Sequence, residues 1–524
     1  MDKIKIALIL IVSLGTLIRF WSLGDNNIGL FRDEAALGFN SWSILQTGRD
    51  EYGQKLPVFF RSFEVFFMPA YVYLSVPIMK IFGLNEFSTR LLSALSGIFL
   101  ILFAFLIGRK IFKSERVGIF SAIIVAFSPW SIFYSKGAFE GNLALLFFAT
   151  GFYFWIKFLD KFTRKYFFIS LLFFLLSMYS YQSPRLVVPI FLGVSIISLK
   201  NVWELKKVWI LGLLLALFLY LPILLLSFQP ASYHRALGVS VFSRSESSSI
   251  YSVFNQFASM YLHYYSPMNL FWLGDYNNQR SVEGFSTFYF WIFPFLMIGV
   301  WKFIKGNFQK KPLLIWTLLG PLPASLTPDP FHTYRAILFF MPISLMIAFG
   351  ISNLLDYFKR FKLGFLFALI MFFTFSLIYY LFNFLLVSPL YKWRDWDFGY
   401  KEIAQLLKKE PKDIRVVIDD PNTESYIHLL FYGVIPISDY QNEAKKLING
   451  KYYSDAEKIR PQKIGRFEFR KVDWPSERGE SKTIFIFPSN RLFPSEFSGD
   501  PKLNLEKIIL TFSGEAVFYI VRVI

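Results

Sequence analysis

Three sets of residues in this chain have side chains suited to a reaction site. The first is the acidic pair Asp33-Glu34, just past the opening apolar stretch. The second is Glu140, in Tyr134-Ser135-Lys136-Gly137-Ala138-Phe139-Glu140. The third is cationic: Lys136, Arg185 in Tyr179-Ser180-Tyr181-Gln182-Ser183-Pro184-Arg185, and His332 and Arg335 in Asp329-Pro330-Phe331-His332-Thr333-Tyr334-Arg335. A carboxylate at a water–lipid boundary can act as a general base, because partial burial raises its pKa toward useful values. Arginine presents a planar fork of donors that suits a phosphate. Adjacent residues on a helix do not share a face. Asp33 and Glu34 therefore cannot both address one atom, and the reading gives Asp33 the base role and Glu34 a supporting one. Structural roles compete with each of these. Asp33 reads equally as the N-cap of a helix Glu34–Leu45 ending near Gly48, Glu140 as the cap of the helix that follows it, and the cations as headgroup anchors. Two carboxylates are too few to specify a metal. No cofactor is expected, with a divalent metal left open.

The elements that must hold these residues are set by composition. The chain has 524 residues, 54% hydrophobic and 20% aromatic, too apolar for an ordinary soluble protein. Apolar segments near the ~20 residues needed to cross a bilayer recur from Ile4 to Tyr391 and then stop. Ile4–Leu23 lacks a small-residue cleavage site and reads as a retained first helix. With no cysteine, disulfides, thiolate catalysis and Cys-ligated zinc are excluded. The net charge of +18 is not a nucleic-acid footprint. From Lys392 onward there are 22 Lys+Arg and 20 Asp+Glu, leaving 33 of the 55 basic and 17 of the 37 acidic residues in the apolar part. That excess sits in short loops, the pattern that orients a membrane protein.

Five loops are densely basic, 109–116, 157–165, 200–207, 302–311 and 359–362, and the positive-inside rule puts them in the cytoplasm with Lys3 and Lys5. Two apolar stretches lie between the first helix and Arg109. Counting both as spans would turn two of these basic loops outward. Val65–Gly83, interrupted by Pro69 and Pro77, is therefore read as a juxtamembrane helix on the outer surface. About eleven spans result, near 5–23, 91–108, 117–135, 141–159, 166–184, 186–203, 208–228, 285–303, 312–327, 336–356 and 363–388. The N-terminus is then cytoplasmic, and every candidate site residue faces outward. Domains are expected at 1–390, helical and membrane-embedded, and 391–524, a small extracytoplasmic α/β domain. Within the latter, Tyr400–Lys409 reads as helix, and Arg415–Asp419, Phe467–Val472, Thr483–Phe487 and Ala516–Val523 read as strands.

Several short patterns carry a family resemblance. They are Asp33-Glu34-Ala35, Gly48-Arg49-Asp50, Pro69-Ala70-Tyr71, Phe82-Gly83-x-x-Glu86-x-x-x-Arg90, Ser128-Pro129 with Tyr134, the Glu140 position, Tyr179-x-Tyr181-x-x-x-Arg185 and His332-x-x-Arg335. Over about residues 5–390 the chain resembles the GT-C membrane glycosyltransferases. It is most similar to glycosyltransferase family 39, the branch of protein O-mannosyltransferases and the lipid A aminoarabinose transferase. The resemblance implies transfer of a single sugar from a polyprenyl-phosphate donor to a hydroxyl of a lipid, glycan or protein acceptor, at the outer face of an inner or plasma membrane. Asp33 matches the family's catalytic carboxylate, and Glu140 a second acidic position that is often Asp. Lys136, Arg185, His332 and Arg335 would hold the donor phosphate, with Glu64, Tyr181 and Gln182 lining the substrate groove. Met68-Pro69 stands where many relatives have Lys-Pro or His-Pro, which removes one expected phosphate or metal contact. The competing classes are a polyprenyl-sugar flippase, which should carry midplane charge and repeated halves, and a transferase of whole oligosaccharides.

Overall fold

The computed structural model describes residues 3–25, 28–63, 65–199, 205–229, 250–306, 310–453 and 459–524. The longer helices, in chain order, are α1 (Lys3–Phe20), α2 (Arg32–Thr47), α3 (Pro69–Phe82), α4 (Glu86–Phe112), α5 (Glu115–Phe127), α6 (Pro129–Ser135), α7 (Glu140–Lys161), α8 (Arg164–Ser180) and α9 (Ser183–Ile197). They continue with α10 (Lys206–Ser227), α11 (Ile250–His263), α12 (Phe293–Lys305), α13 (Lys310–Leu319), α14 (Ile337–Tyr357) and α15 (Lys362–Phe382). Last come α16 (Tyr400–Leu407), α17 (Tyr426–Phe431) and α18 (Ile437–Ile448). The chain divides into two compact units. One comprises Met1–Leu23, Met68–Tyr71 and Arg90–Phe384; the other comprises Gly24–Phe67, Val72–Thr89 and Leu385–Ile524.

The first unit is helical. Among the described residues five helices are long and apolar enough to cross a membrane: α4, α7, α10, α14, and α15 with its continuation to Lys392. The bent pair α5–α6 makes a sixth if it counts as one span. The chain is thus a multi-pass membrane protein. The eleven spans expected from charge exceed those that pass on length and composition. The shortfall is physical: α9 has 15 residues and α12 has 13, both below the ~20 that a straight crossing needs.

The bend of 57° between α5 and α6 follows from Pro129, which has no N–H to continue the helix. Buried Arg19 of α1 supplies the missing donors, bonding the Val125 and Ala126 carbonyls, each at 3.1 Å. It also reaches the Ser131 and Ser135 hydroxyls at 2.8 and 3.1 Å. Tyr289 caps the Phe127 carbonyl at 2.9 Å. Further along, Trp316 packs on Phe148 and Phe152 with ring centroids 5.0 and 4.5 Å apart, locking α13 to α7.

The second unit holds the first loop and the C-terminal segment. A hairpin pairs β1 (Phe60–Ser62) with β2 (Val65–Phe67), so the juxtamembrane helix starts at Pro69 rather than at Val65. Proline is suited to a first helical position. A six-stranded mixed sheet follows, made of β3 (Arg415–Asp419), β4 (Lys463–Ile464), β5 (Phe467–Arg470), β6 (Thr483–Pro488), β7 (Leu503–Leu510) and β8 (Ala516–Val523). Its order is β4-β5-β3-β6-β8-β7, with β3 parallel to β5 and β6. Val417, Trp474, Phe485, Phe487 and Val521 form its core on one face.

Candidate functional site

In the second unit, α2 carries the acidic pair in its first turn. The helix begins two residues earlier than expected, with Phe31 as N-cap, so Asp33 is the second helical residue and not the cap. Glu34 does the local bonding: its carboxylate reaches back to accept from the Phe31 amide at 3.2 Å. Glu34 is buried and Asp33 half-buried. Gly48, at φ +66, closes the helix in the left-handed conformation that glycine adopts without strain. Glu64 lies outside the described residues.

Beyond the C-terminus of α2 lies a second acidic pair, Asp50-Glu51, fully buried. Asp50 accepts from the Tyr452 hydroxyl at 2.5 Å and from the Tyr52 and Gln54 amides at 3.0 and 2.8 Å. Glu51 accepts from Tyr426 at 3.0 Å and Asn40 at 3.3 Å. Burial pushes the Asp50 carboxyl up to about 7 despite these bonds. Burial and the neighbouring Asp50 push Glu51 up to about 8.

In the first unit, Glu140 opens α7 and is buried. Tyr334 lies over that helix start, accepting the Gly141 amide at 3.0 Å. Its ring meets those of Tyr181, Phe139 and Tyr134 at 4.7, 5.3 and 5.6 Å. Ser183, opening α9, donates to the Arg335 carbonyl at 2.8 Å. Glu140, Tyr181, Gln182, Arg185, His332 and Arg335 are thus joined through Tyr334 and α9. Arg185 is half-buried, bonded to Tyr220 at 3.0 Å, to Gln182 at 2.5 Å, and to Ser227. Arg335 points its guanidinium at Asp329, 3.4 Å away.

Two candidates are differently employed. Lys136 is buried, and its ammonium donates to the Ile18 carbonyl at 3.2 Å and to that of Trp21, at the end of α1. That is the work of a helix-terminus clamp. His332 has both ring nitrogens facing protein groups, Arg280 at 3.0 Å and the Arg335 amide at 3.2 Å. It orients those two arginines.

Sequence reasoning passed over Asp275 as a site residue. Its buried carboxylate holds Arg280 through bonds of 2.8 and 3.1 Å, and takes the Thr333 amide and hydroxyl at 2.9 and 2.8 Å. Thr333 in turn meets the Tyr134 hydroxyl at 2.6 Å. These residues line a cavity of about 20 Å³, room for a water molecule. The available signal was Asp275-Tyr276-Asn277 followed by Arg280, an Asx turn with a cation one turn on. Among the described residues no group of three or more acidic or histidine side chains is placed to hold a metal ion.

Residues 68–226 match the family model of dolichyl-phosphate-mannose-protein mannosyltransferases. ArnT from Cupriavidus metallidurans superimposes with a TM-score of 0.56 at 13% identity, over 98% of this chain and 97% of ArnT. Its structure bound to undecaprenyl phosphate gives 0.59 at 12% identity, over the same shares. The chain has the fold of the GT-C membrane glycosyltransferases. The oligosaccharyltransferase AglB from Archaeoglobus fulgidus, in complex with an inhibitory peptide and a dolichol-phosphate, matches with a TM-score of 0.51 at 13% identity, over 81% of this chain and 63% of AglB. No curated protein sequence matches. Along this chain the family model covers α3 to α10, and so includes Glu140, Tyr181 and Arg185 but not α2.

Proposed function

We propose that this protein moves a single sugar from a polyprenyl-phosphate donor to a hydroxyl acceptor, with Asp33 as general base. The observation that carries the reading is the division of work in the first turn of α2. Glu34 makes the capping bond, while Asp33 stays half-exposed. The lipid phosphate in the structure of ArnT supports a polyprenyl donor.

In the proposed reaction the acceptor hydroxyl gives its proton to Asp33, and its oxygen forms a bond to the anomeric carbon. The bond from that carbon to the phosphate oxygen breaks, and the leaving lipid phosphate keeps the electron pair. Attack opposite the leaving group inverts the anomeric centre. Arg185 and Arg335 stabilise the charge developing on the phosphate, oriented by Gln182 and Asp329, with His332 and Arg280 in support. Glu140 holds the acidic position beside Tyr334, and Tyr181 and Gln182 line the sugar side. The transferase works at the outer face of a cell membrane, with a cytoplasmic N-terminus and residues 391–524 outside.

The test is turnover by the purified full chain on a panel of undecaprenyl-phosphate hexoses and pentoses, reading release of undecaprenyl phosphate and the anomeric configuration of the product. Asp33→Asn should sharply lower release while the protein stays folded; wild-type release by that variant would sink the assignment. The likeness to AglB favours a second reading, transfer of a whole oligosaccharide. An oligosaccharide-linked lipid added to the panel separates the two.

A further inference from the structure

The N-cap residue of α2 offers no acceptor to the first helical amides. Phe31 occupies the N-cap position without a side-chain acceptor, where Ser, Thr, Asp or Asn would ordinarily serve. The acceptor comes from residues far along the same unit. The Arg32 amide, first of the helix, donates to Asp397 Oδ2 at 2.9 Å. The Arg32 guanidinium lies 3.5 Å from that same oxygen and pairs with Glu424.

Both acceptors are themselves braced. Buried His428 places Nε2 3.6 Å from Asp397 and stacks on Tyr400, with centroids 4.5 Å apart and planes 7° apart. Asp420 gathers the Glu424 and Ser425 amides at 2.6 and 2.7 Å, fixing the turn from which Glu424 projects. Arg460 approaches Glu424 at 3.8 Å. Asp397 has φ +50, a left-handed conformation that a residue with a Cβ adopts only under constraint. Gly29, at φ +115, lies against the Trp396 carbonyl and the Phe398 backbone, where a Cβ would collide. The strand of chain leading into α2 is therefore seated on residues 396–398. Burial would raise the Asp397 carboxyl, but the His428 ring and Arg32 outweigh it and hold the group below the ordinary carboxylate value. It is an anionic cap at a helix N-terminus, where the dipole favours negative charge.

We propose that Asp397 is a positioning residue for the base: it caps α2 from the C-terminal segment, with Glu424 and His428 as its braces, and thereby fixes the direction of the Asp33 carboxylate. This rests on the reading of Asp33 as base. It gives the C-terminal segment a function in the reaction, since residues 397 and 424 supply the acceptor that the N-cap position lacks. A reacting group displaced by about 1 Å can lose on the order of 100-fold in rate.

The experiment uses the full chain in detergent, with Asp397→Ala and Asp397→Asn read by amide hydrogen exchange and by turnover on the undecaprenyl-phosphate sugar that the wild-type chain uses. Asp397→Ala should speed exchange at residues 32–35 about 10-fold while the β6 amides stay protected. It should lower kcat by about 10- to 100-fold with the donor KM within about 2-fold. Asp397→Asn retains an acceptor oxygen and should recover most of both. Unchanged exchange at 32–35, faster exchange with wild-type kcat, or a change confined to KM would each overturn the proposal. If the alanine variant also loosens β6, Asp397→Asn and Glu424→Gln decide on the same readouts. An Asp33→Asn chain with wild-type turnover removes the base whatever Asp397 does. An Asp397→Ala chain with an intact start to α2 removes the cap whatever Asp33 does.

Discussion

Asp33-Glu34 and Asp50-Glu51 stand at opposite ends of α2, and in the sequence they are the same object, two neighbouring carboxylates in an aromatic-rich stretch. The fold treats them in opposite ways. The first pair is split, with Glu34 buried in a local bond and Asp33 half-exposed at the helix start. The second pair is sealed together beneath Tyr52, Tyr426 and Tyr452, and burial holds its protons on into the neutral range. A carboxyl that stays protonated near pH 7 is a donor and packing group; a base must be ionised. The cations of the first unit repeat the contrast. Arg185 is half-buried among hydroxyls and an amide oxygen, whereas the Lys136 ammonium is spent on two main-chain carbonyls.

The largest expected effect tests the acid contrast directly. Asp33→Asn should lower turnover by about 10²- to 10⁴-fold, the range for loss of a general base. Asp50→Asn should leave turnover per folded molecule near wild type, measured on the same undecaprenyl-phosphate sugar. Equal losses from the two variants would break the comparison. Next in size is the cation contrast: Arg185→Ala should cost about 10²-fold in kcat through lost stabilisation of the leaving phosphate. A rise in KM with kcat unchanged would show Arg185 serving ground-state binding alone.

How much of this was legible beforehand depended on whether the deciding contacts were local. The positions of α4, α7, α10, α14 and α15 were readable because each carries its own hydrophobic signal, and α2 ended at Gly48 where glycine predicted it. Strands at Arg415–Asp419, Thr483–Pro488 and Ala516–Val523 lie where alternation marked them. The hairpin Phe60–Phe67 was hidden, since three-residue strands carry no periodicity. So was the partition of the chain, in which Gly24–Phe67 and Val72–Thr89 join the residues from Leu385 onward. The roles of Lys136 and Asp50 were illegible for the same reason: Trp21 and Tyr452 lie far from them in sequence, and nothing local marks the pairing.

The sealed pair carries its own pH signature. The folded carboxyls keep their protons up to about 7 and about 8, whereas in the unfolded chain they lose them near the ordinary 3.8 and 4.5. Between those limits the native state binds more protons, so stability falls as pH rises. The pair's contribution is full below about pH 4 and is lost progressively as pH rises from there through the neutral range. Thermal unfolding should therefore come at lower temperature near pH 9 than near pH 6, and the double variant Asp50→Asn, Glu51→Gln should flatten that slope. An unchanged slope would mean the pair is ionised in the folded protein, and its difference from Asp33-Glu34 would vanish.

The smallest effect concerns Lys136, and it separates a clamp from a phosphate ligand. Lys136→Met keeps the length and the apolar stem over Phe384, which lies 5.8 Å from the ammonium, while removing the donor to the Ile18 and Trp21 carbonyls. Leaving such acceptors without their partner costs about 1–3 kcal/mol when they stay buried, and less if water reaches the end of α1. The expected outcome is a modest fall in unfolding temperature with kcat and the donor KM near wild type. A phosphate ligand behaves in the reverse way: stability holds or improves as a buried charge is removed, and donor affinity or turnover drops as it does for Arg185→Ala. Measuring both quantities on one preparation decides between the two, because a clamp and a ligand move them in opposite directions.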